Sequence, residues 1–389
     1  MTINYPATSI GIIKAVLLSA YFIALAVSAF EGLGDAYRVF ALFLGLSAAC
    51  VFTGARSNNA GSGRFTYVVI AIALILVPVL CSQIINIHAL EINDLLVGAV
   101  FCVTILTCAL IGMNASNEEL WTAFDLTSIS FFSILVACLF MGTTDESGRL
   151  NGFNGNMHPN YVGLMAIVAA CMILNQRLVL VSILTLLALS TCYLASSRGS
   201  LLVIVVCYVS NIVCRFSYKR LELRDAVVLS LGVIASILVI ALYSSALYQF
   251  VCSDILLLDN KYRGVDSGAS GRGEVWDFLI KVWLSNPFFG EGYSYTSNRL
   301  EFSDGGYLLT LAETGIVGLL GMLIFLIVGA YKSWKLGYRV DEGRRRAASV
   351  AILIGFMVVN IFESRFQSGA NPLSSCIYII CFGCWSEKT

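Results

Sequence analysis

The stretch "FFGEGYSYTSNRLEFSDGGYLLTLAETGIVGLLG", residues 288–321, begins as a loop rich in glycine and tyrosine. It then runs without interruption into a segment apolar enough to cross a membrane. Glu313 lies inside that segment and Asp304 just ahead of it. A carboxylate is costly in hydrocarbon, so a chain that keeps one there turns it towards a cavity or a partner group. The rest of the chain has the same texture. It is 58% hydrophobic and 12% charged, about half the charged fraction of a soluble domain. Its apolar residues come in blocks about 20 residues long, the length that crosses roughly 30 Å of hydrocarbon. These blocks predict an all-α, polytopic transmembrane bundle.

About twelve spans are expected, at 8–30, 36–54, 65–87, 94–113, 120–142, 158–175, 177–196, 199–215, 226–250, 306–331, 346–367 and 371–385. The apolar run of the first is too long for a cleavable signal peptide, and no small-residue cleavage site precedes Glu31. Residues 1–389 read as a single integral membrane domain, with 251–305 as one long loop within it. Lysine and arginine alternate between connections. Arg56, Arg64, Arg177, Arg215, Lys219, Arg220, Arg224, Lys332, Lys335, Arg339 and Arg344 to Arg346 fall on one side. Glu31, Asp35, Glu91, Asp94, Asp145 and Glu146 mark the other. The positive-inside rule then puts both termini in the cytoplasm and the 251–305 loop outside.

Composition also excludes several functions. A net charge of +0 argues against nucleic acid as a partner. The 13 cysteines are scattered through apolar spans without metal-ligand spacing, as core residues would be. Only Cys252 falls in the long loop. With two histidines, His88 and His158, a histidine-based metal site is not expected, and no metal or cofactor is called for.

Three arginines stand out. Arg198 lies in "LASSRGSLL", where two spans meet with almost no loop; it reads either as a snorkelling interfacial residue or as part of a tight polar turn. Arg365 lies in "NIFESRFQSG" beside Glu363, its simplest ion-pair partner. Arg272 lies in "GASGRGEVW" within the long loop. Together they would make a clamp for a diphosphate, because a guanidinium donates two parallel charge-assisted hydrogen bonds and keeps its proton. Next comes "EVWDFLIKVWLSNP". At helical spacing Trp276, Leu279, Ile280 and Trp283 share one side and Glu274, Asp277 and Lys281 the other. This amphipathic helix, ended by Pro287, suits either the membrane interface or a place against the bundle.

In order and spacing, "SSRGSLL", "GRGEVWDFLIKVWLSNPFFGEGYS" and "DGGYLLTLAETGIVGLLG" resemble the O-antigen ligase and O-antigen polymerase superfamily. "GNMHPNYVGLMA" resembles the family's "hPN" entry to a central span, through His158, Pro159 and Asn160. The resemblance covers roughly residues 150–330. Arg198, Arg272, Tyr307, Glu313 and Gly315 match its pattern. The family's ligases carry a histidine nine residues before the glutamate; here that position is Asp304, followed by Gly305. The departure tilts the reading from ligase towards polymerase.

The resemblance implies glycosyl transfer outside the cytoplasm, in a bacterial inner membrane. A growing glycan would pass from undecaprenyl diphosphate to a second lipid-linked repeat unit. Donor and acceptor repeat units, membrane lipid and a chain-length regulator protein are the implied partners. Arg198, Arg272, Arg365, His158, Asn160, Tyr307 and Glu313 would bind diphosphate or glycan. Asp304, with Arg198 and Arg272, would carry catalysis, and Asp304 would accept the acceptor's proton. Asp304 also suits the N-cap of the span that follows, and the two roles are compatible. Glu313, deeper in the span, suits orienting an arginine or bracing a polar cavity. The alternatives are a ligase that transfers glycan to lipid A–core and a flippase for lipid-linked sugars. Against the flippase stands the lack of an internal repeat.

Overall fold

The computed structural model describes residues 9–27, 34–54, 62–144, 148–153, 158–218, 272–296, 299, 305–336, 343–363 and 371–387. Among these, twelve helices form one bundle: α1 Ser9–Val27, α2 Gly34–Gly54, α3 Ser62–Ile85, α4 Ile92–Asn114, α5 Asn117–Met141, α6 Pro159–Met172, α7 Leu178–Leu194, α8 Arg198–Ser217, α9 Arg272–Ser285, α10 Gly306–Leu336, α11 Gly343–Phe362 and α12 Pro372–Ser386. Six of them are long and apolar enough to cross a membrane. The chain is therefore a multi-pass membrane protein of all-α class. The expected span at 226–250 lies outside the described residues, as do residues 251–271 of the long loop.

The starts follow local chemistry. Ser116 caps α5 in a reciprocal capping box with Glu119, and Asn371 caps α12 by accepting from the Leu373 N–H at 2.8 Å. His158 caps α6, its Nδ1 accepting from the Asn160 N–H at 3.2 Å, and Pro159 occupies the first helical turn. The last helix sits at the centre. α12 touches α1, α3, α4, α6, α10 and α11, and nearly every residue from Pro372 to Ser386 is buried. A helix that is apolar all round belongs inside its bundle. Close approaches elsewhere use glycine. On α10, Gly321 lies against the Leu74 carbonyl of α3, where a Cβ would clash.

Three features differ from the sequence expectation. Residues 142–144 and 150–153 pair as a short antiparallel hairpin, β1 and β2, with Gly142 opposite Phe153. Helix α6 stops at Met172 and yields to turns. Helix α10 runs on to Leu336 but is broken at Gly315, whose φ of 67° and ψ of −169° are non-helical.

Helix directions place the starts of α6, α8 and α10 and the finish of α11 at one end of the bundle. Ser333 of α10 bonds the Arg346 carbonyl of α11, and Gly306 lies against Asn360 and the Glu363 carbonyl, so those two helices are antiparallel. At the opposite end Lys14 pairs with Glu119 at 3.1 Å, and Arg346 pairs with Glu387. There too, Arg215 donates to the Leu174 and Gln176 carbonyls.

Candidate functional site

The break in α10 and the bend before it are two halves of one joint. A broken helix exposes carbonyls above the break and N–H groups below it. The segment after α9 supplies partners for both. Glu291 N–H donates to the Ala312 carbonyl at 2.9 Å, and Gly292 N–H to the Glu313 carbonyl at 3.2 Å. Below the break, Ile316 N–H donates to the Pro287 carbonyl at 2.9 Å and Val317 N–H to that of Phe288 at 3.3 Å. Ser82 of α3 adds a hydroxyl donor to the Glu313 carbonyl. Asn86 Nδ2 donates to the Gly290 carbonyl at 2.8 Å. The two backbones run so close that neither contact residue tolerates a side chain. A Cβ on Gly315 would strike the Phe288 carbonyl, and one on Gly290 the Glu313 main chain.

Glu313 is 2% exposed. Its Oε1 accepts from Thr296 Oγ1 at 2.6 Å, and the Ser294 and Thr296 N–H groups also donate to its carboxylate. The side chain therefore shapes the 294–296 turn. Here Ser294 adopts a φ of 69° and Arg299 stacks on Tyr295 at 3.7 Å. Next to it, Tyr293 stacks on Phe101 at 4.9 Å. Burial, with the Glu313 charge nearby, pushes its phenol well above the usual range.

Helix α9 descends alongside the first part of α10. Val275 and Leu279 bury against Leu309 and Ala312, while Glu274, Asp277 and Lys281 stay exposed. Of the two places that its pattern allowed, it takes the one against the bundle. Its far side still shows Ile280 and Leu284, and Phe288 beyond its end is 65% exposed. At its upper end Trp276 meets Gly305, where a Cβ would come within 2.9 Å of Nε1.

A second cluster gathers at the same end of the bundle. The α7–α8 turn is tight, with Ser196 at a φ of 49° and Ser197 N–H donating to the Cys192 carbonyl at 2.9 Å. Ser197 and Ser200 share a hydroxyl hydrogen bond at 2.8 Å, and both press on Gly163 of α6. Arg198, half-buried, opens α8 from that turn. The corner that it leaves is tight and polar, as the serines and glycine around it predict. Asn160 and His158 are exposed at the start of α6. Tyr307, half-buried on α10, donates to the Met357 carbonyl of α11 at 2.7 Å.

The structure thus brings the α6 start, the α7–α8 turn with Arg198, and the α10 entry with Tyr307 to one end of the bundle. Arg272 is the first residue of α9, but its side chain lies outside the described residues, as do Asp304 and Arg365 entirely. Sequence reasoning passed over Arg149. It is 9% exposed and donates from Nε to the Ala195 carbonyl at 3.1 Å and from an NH2 group to Asn160 Oδ1 at 2.9 Å. Its signal was weak, since it stands alone in a short connection otherwise marked by Asp145 and Glu146. The 12 described cysteines are free, most of them buried in the core.

Residues 183–323 match the sequence pattern of a family described as O-antigen ligase. The match supports the O-antigen ligase and O-antigen polymerase superfamily that the motifs resemble, and it covers Arg198, all of α9 and the Gly315 joint. No curated protein matches the chain.

Proposed function

We propose, taking residues 183–323 as the O-antigen ligase-type core of this chain, that the protein is a polysaccharide polymerase of lipid-linked repeat units. It acts at the extracytoplasmic face of a bacterial inner membrane and moves a growing glycan from undecaprenyl diphosphate to the next carrier-linked unit. The family match carries the glycosyl-transfer reading. Asp304, standing where the family's ligases place histidine, favours the polymerase.

The step balances as a displacement at the anomeric carbon. An acceptor hydroxyl oxygen bonds to that carbon, and the bond from carbon to the diphosphate oxygen breaks, its electron pair leaving with the lipid diphosphate. The hydroxyl proton passes to the Asp304 carboxylate. Arg198 and Arg272 hold the diphosphate and stabilise its developing charge, with Arg365, His158, Asn160 and Tyr307 lining the sugar and phosphate path. Glu313 keeps the turn beside the site in shape. Lipid surrounds the bundle, and a chain-length regulator protein is its expected partner.

The family description itself favours a second reading, a ligase that transfers finished glycan to lipid A–core. Deletion separates the two. Loss of a polymerase leaves lipid A–core carrying at most one repeat unit, because ligation continues without elongation. Loss of a ligase leaves bare core and long carrier-linked polymer, and that result would overturn the polymerase. In the complemented deletion, Asp304→Asn is expected to reduce elongation at least tenfold at normal protein level, because an amide is a poor proton acceptor. Arg198→Lys and Arg272→Lys should do likewise, since each replaces a fork by a point charge.

A further inference from the structure

Arg149 lies between β1 and α6, buried, where a guanidinium is tolerated only with fixed acceptors around it. Two of those acceptors are far apart in sequence. The Ala195 carbonyl belongs to the turn that presents Arg198, and Asn160 Oδ1 belongs to the first turn of α6. One side chain therefore ties the α7–α8 corner to the start of α6.

The chemistry of the pair fixes more than distance. A guanidinium has donors only, so it holds the oxygen of the Asn160 amide and never the nitrogen. The Asn160 Nδ2 is consequently turned away from Arg149. Asn160 is exposed, and among the described residues nothing accepts from that nitrogen. Among the described residues, then, two N–H donors have no acceptor at a helix start, where the backbone adds partial positive charge. A residue needed only to staple α6 could equally be a carboxylate, which would pair with Arg149 more strongly.

We infer that Arg149 is a positioning residue which fixes the Asn160 amide as a hydrogen-bond donor to an anionic oxygen of a polyprenyl diphosphate. The inference rests on the donor class proposed above. It adds the residue that sets the polarity of one contact and the chemical sense of that contact.

Asn160→Asp tests it. The substitution keeps size and leaves an oxygen for Arg149, but turns the outward donor into an acceptor. Binding of undecaprenyl diphosphate to the full-length protein in nanodiscs should weaken about tenfold or more, with thermal stability equal to or above wild type. Arg149→Met should weaken binding by a similar factor, because the amide is then free to flip. Combining the two should lose little beyond Asn160→Asp alone. Wild-type affinity in Asn160→Asp would overturn the inference even if Arg149→Met fails to fold. A wild-type protein that binds no undecaprenyl diphosphate would instead sink the donor class, and the inference with it.

Discussion

Gly315 carries no side chain, yet its replacement should cost more than that of most larger residues. Its φ of 67° with ψ of −169° lies in a region open almost only to glycine. A Cβ there would also strike the Phe288 carbonyl. Gly315→Ala is therefore expected to destabilise the protein by about 3 kcal/mol, read as a fall in the thermal unfolding midpoint in detergent. Gly383 of α12 is the control, because a Cβ there meets only the Gly112 carbonyl, at 3.3 Å. Equal midpoints for the two alanine variants would mean that the joint yields to a side chain. Both halves of this joint stand in the sequence as glycine-bearing stretches, "NPFFGEGYS" and "LAETGIVG". The sequence did not show that they bond to each other, because the contact is backbone to backbone and leaves no trace in side-chain chemistry. Arg149 was hidden for the opposite reason: its partners, Asn160 and Ala195, are ordinary residues that only folding brings together.

Helix α9 shows how far a pattern alone can go at the scale of an element. Its periodicity correctly marked a helix ending before Pro287, but an amphipathic face suits the membrane interface and the bundle alike, so its place was open. Packing decides for the Val275 and Leu279 side. Leu279→Ala, at 0% exposure, should cost about 2–4 kcal/mol through the cavity it leaves. Leu284→Ala, at 61% exposure, should stay within about 0.5 kcal/mol. Thermal unfolding of the two variants checks this, and a reversed order would mean that α9 presents its other side to α10. Helix α10 was legible as one span because its hydropathy runs unbroken through Glu313. A single glycine resets its direction, and the hydrogen bonds lost at the break are recovered from residues 287–292. The β1–β2 hairpin was illegible, since strands of three and four residues are too short for alternation to register.

At the scale of the whole molecule the two ends differ in chemistry. The end that holds Arg198 is built from tight turns, serines and glycines. The opposite end gathers cations that are pinned by their partners. Lys14 pairs with Glu119 and Arg346 with Glu387, Arg215 grips the turn after α6, and Lys332 donates to the Trp385 carbonyl at 3.1 Å. The lysine and arginine count in the connections assigned this cation-rich end to the cytoplasm, and the helix directions are consistent with all of those residues lying together. If so, residues 251–305 face outward, and labelling can decide it. In spheroplasts, with Cys50 and Cys252 replaced by alanine, a membrane-impermeant maleimide should label Ser267→Cys without permeabilisation. Glu342→Cys, beside the Arg344 to Arg346 cluster, should label only after permeabilisation. The opposite result would invert the bundle. It would also remove the proposed site from the face where lipid-linked repeat units are polymerised, because no rearrangement of side chains can carry Arg198 from one end of α8 to the other.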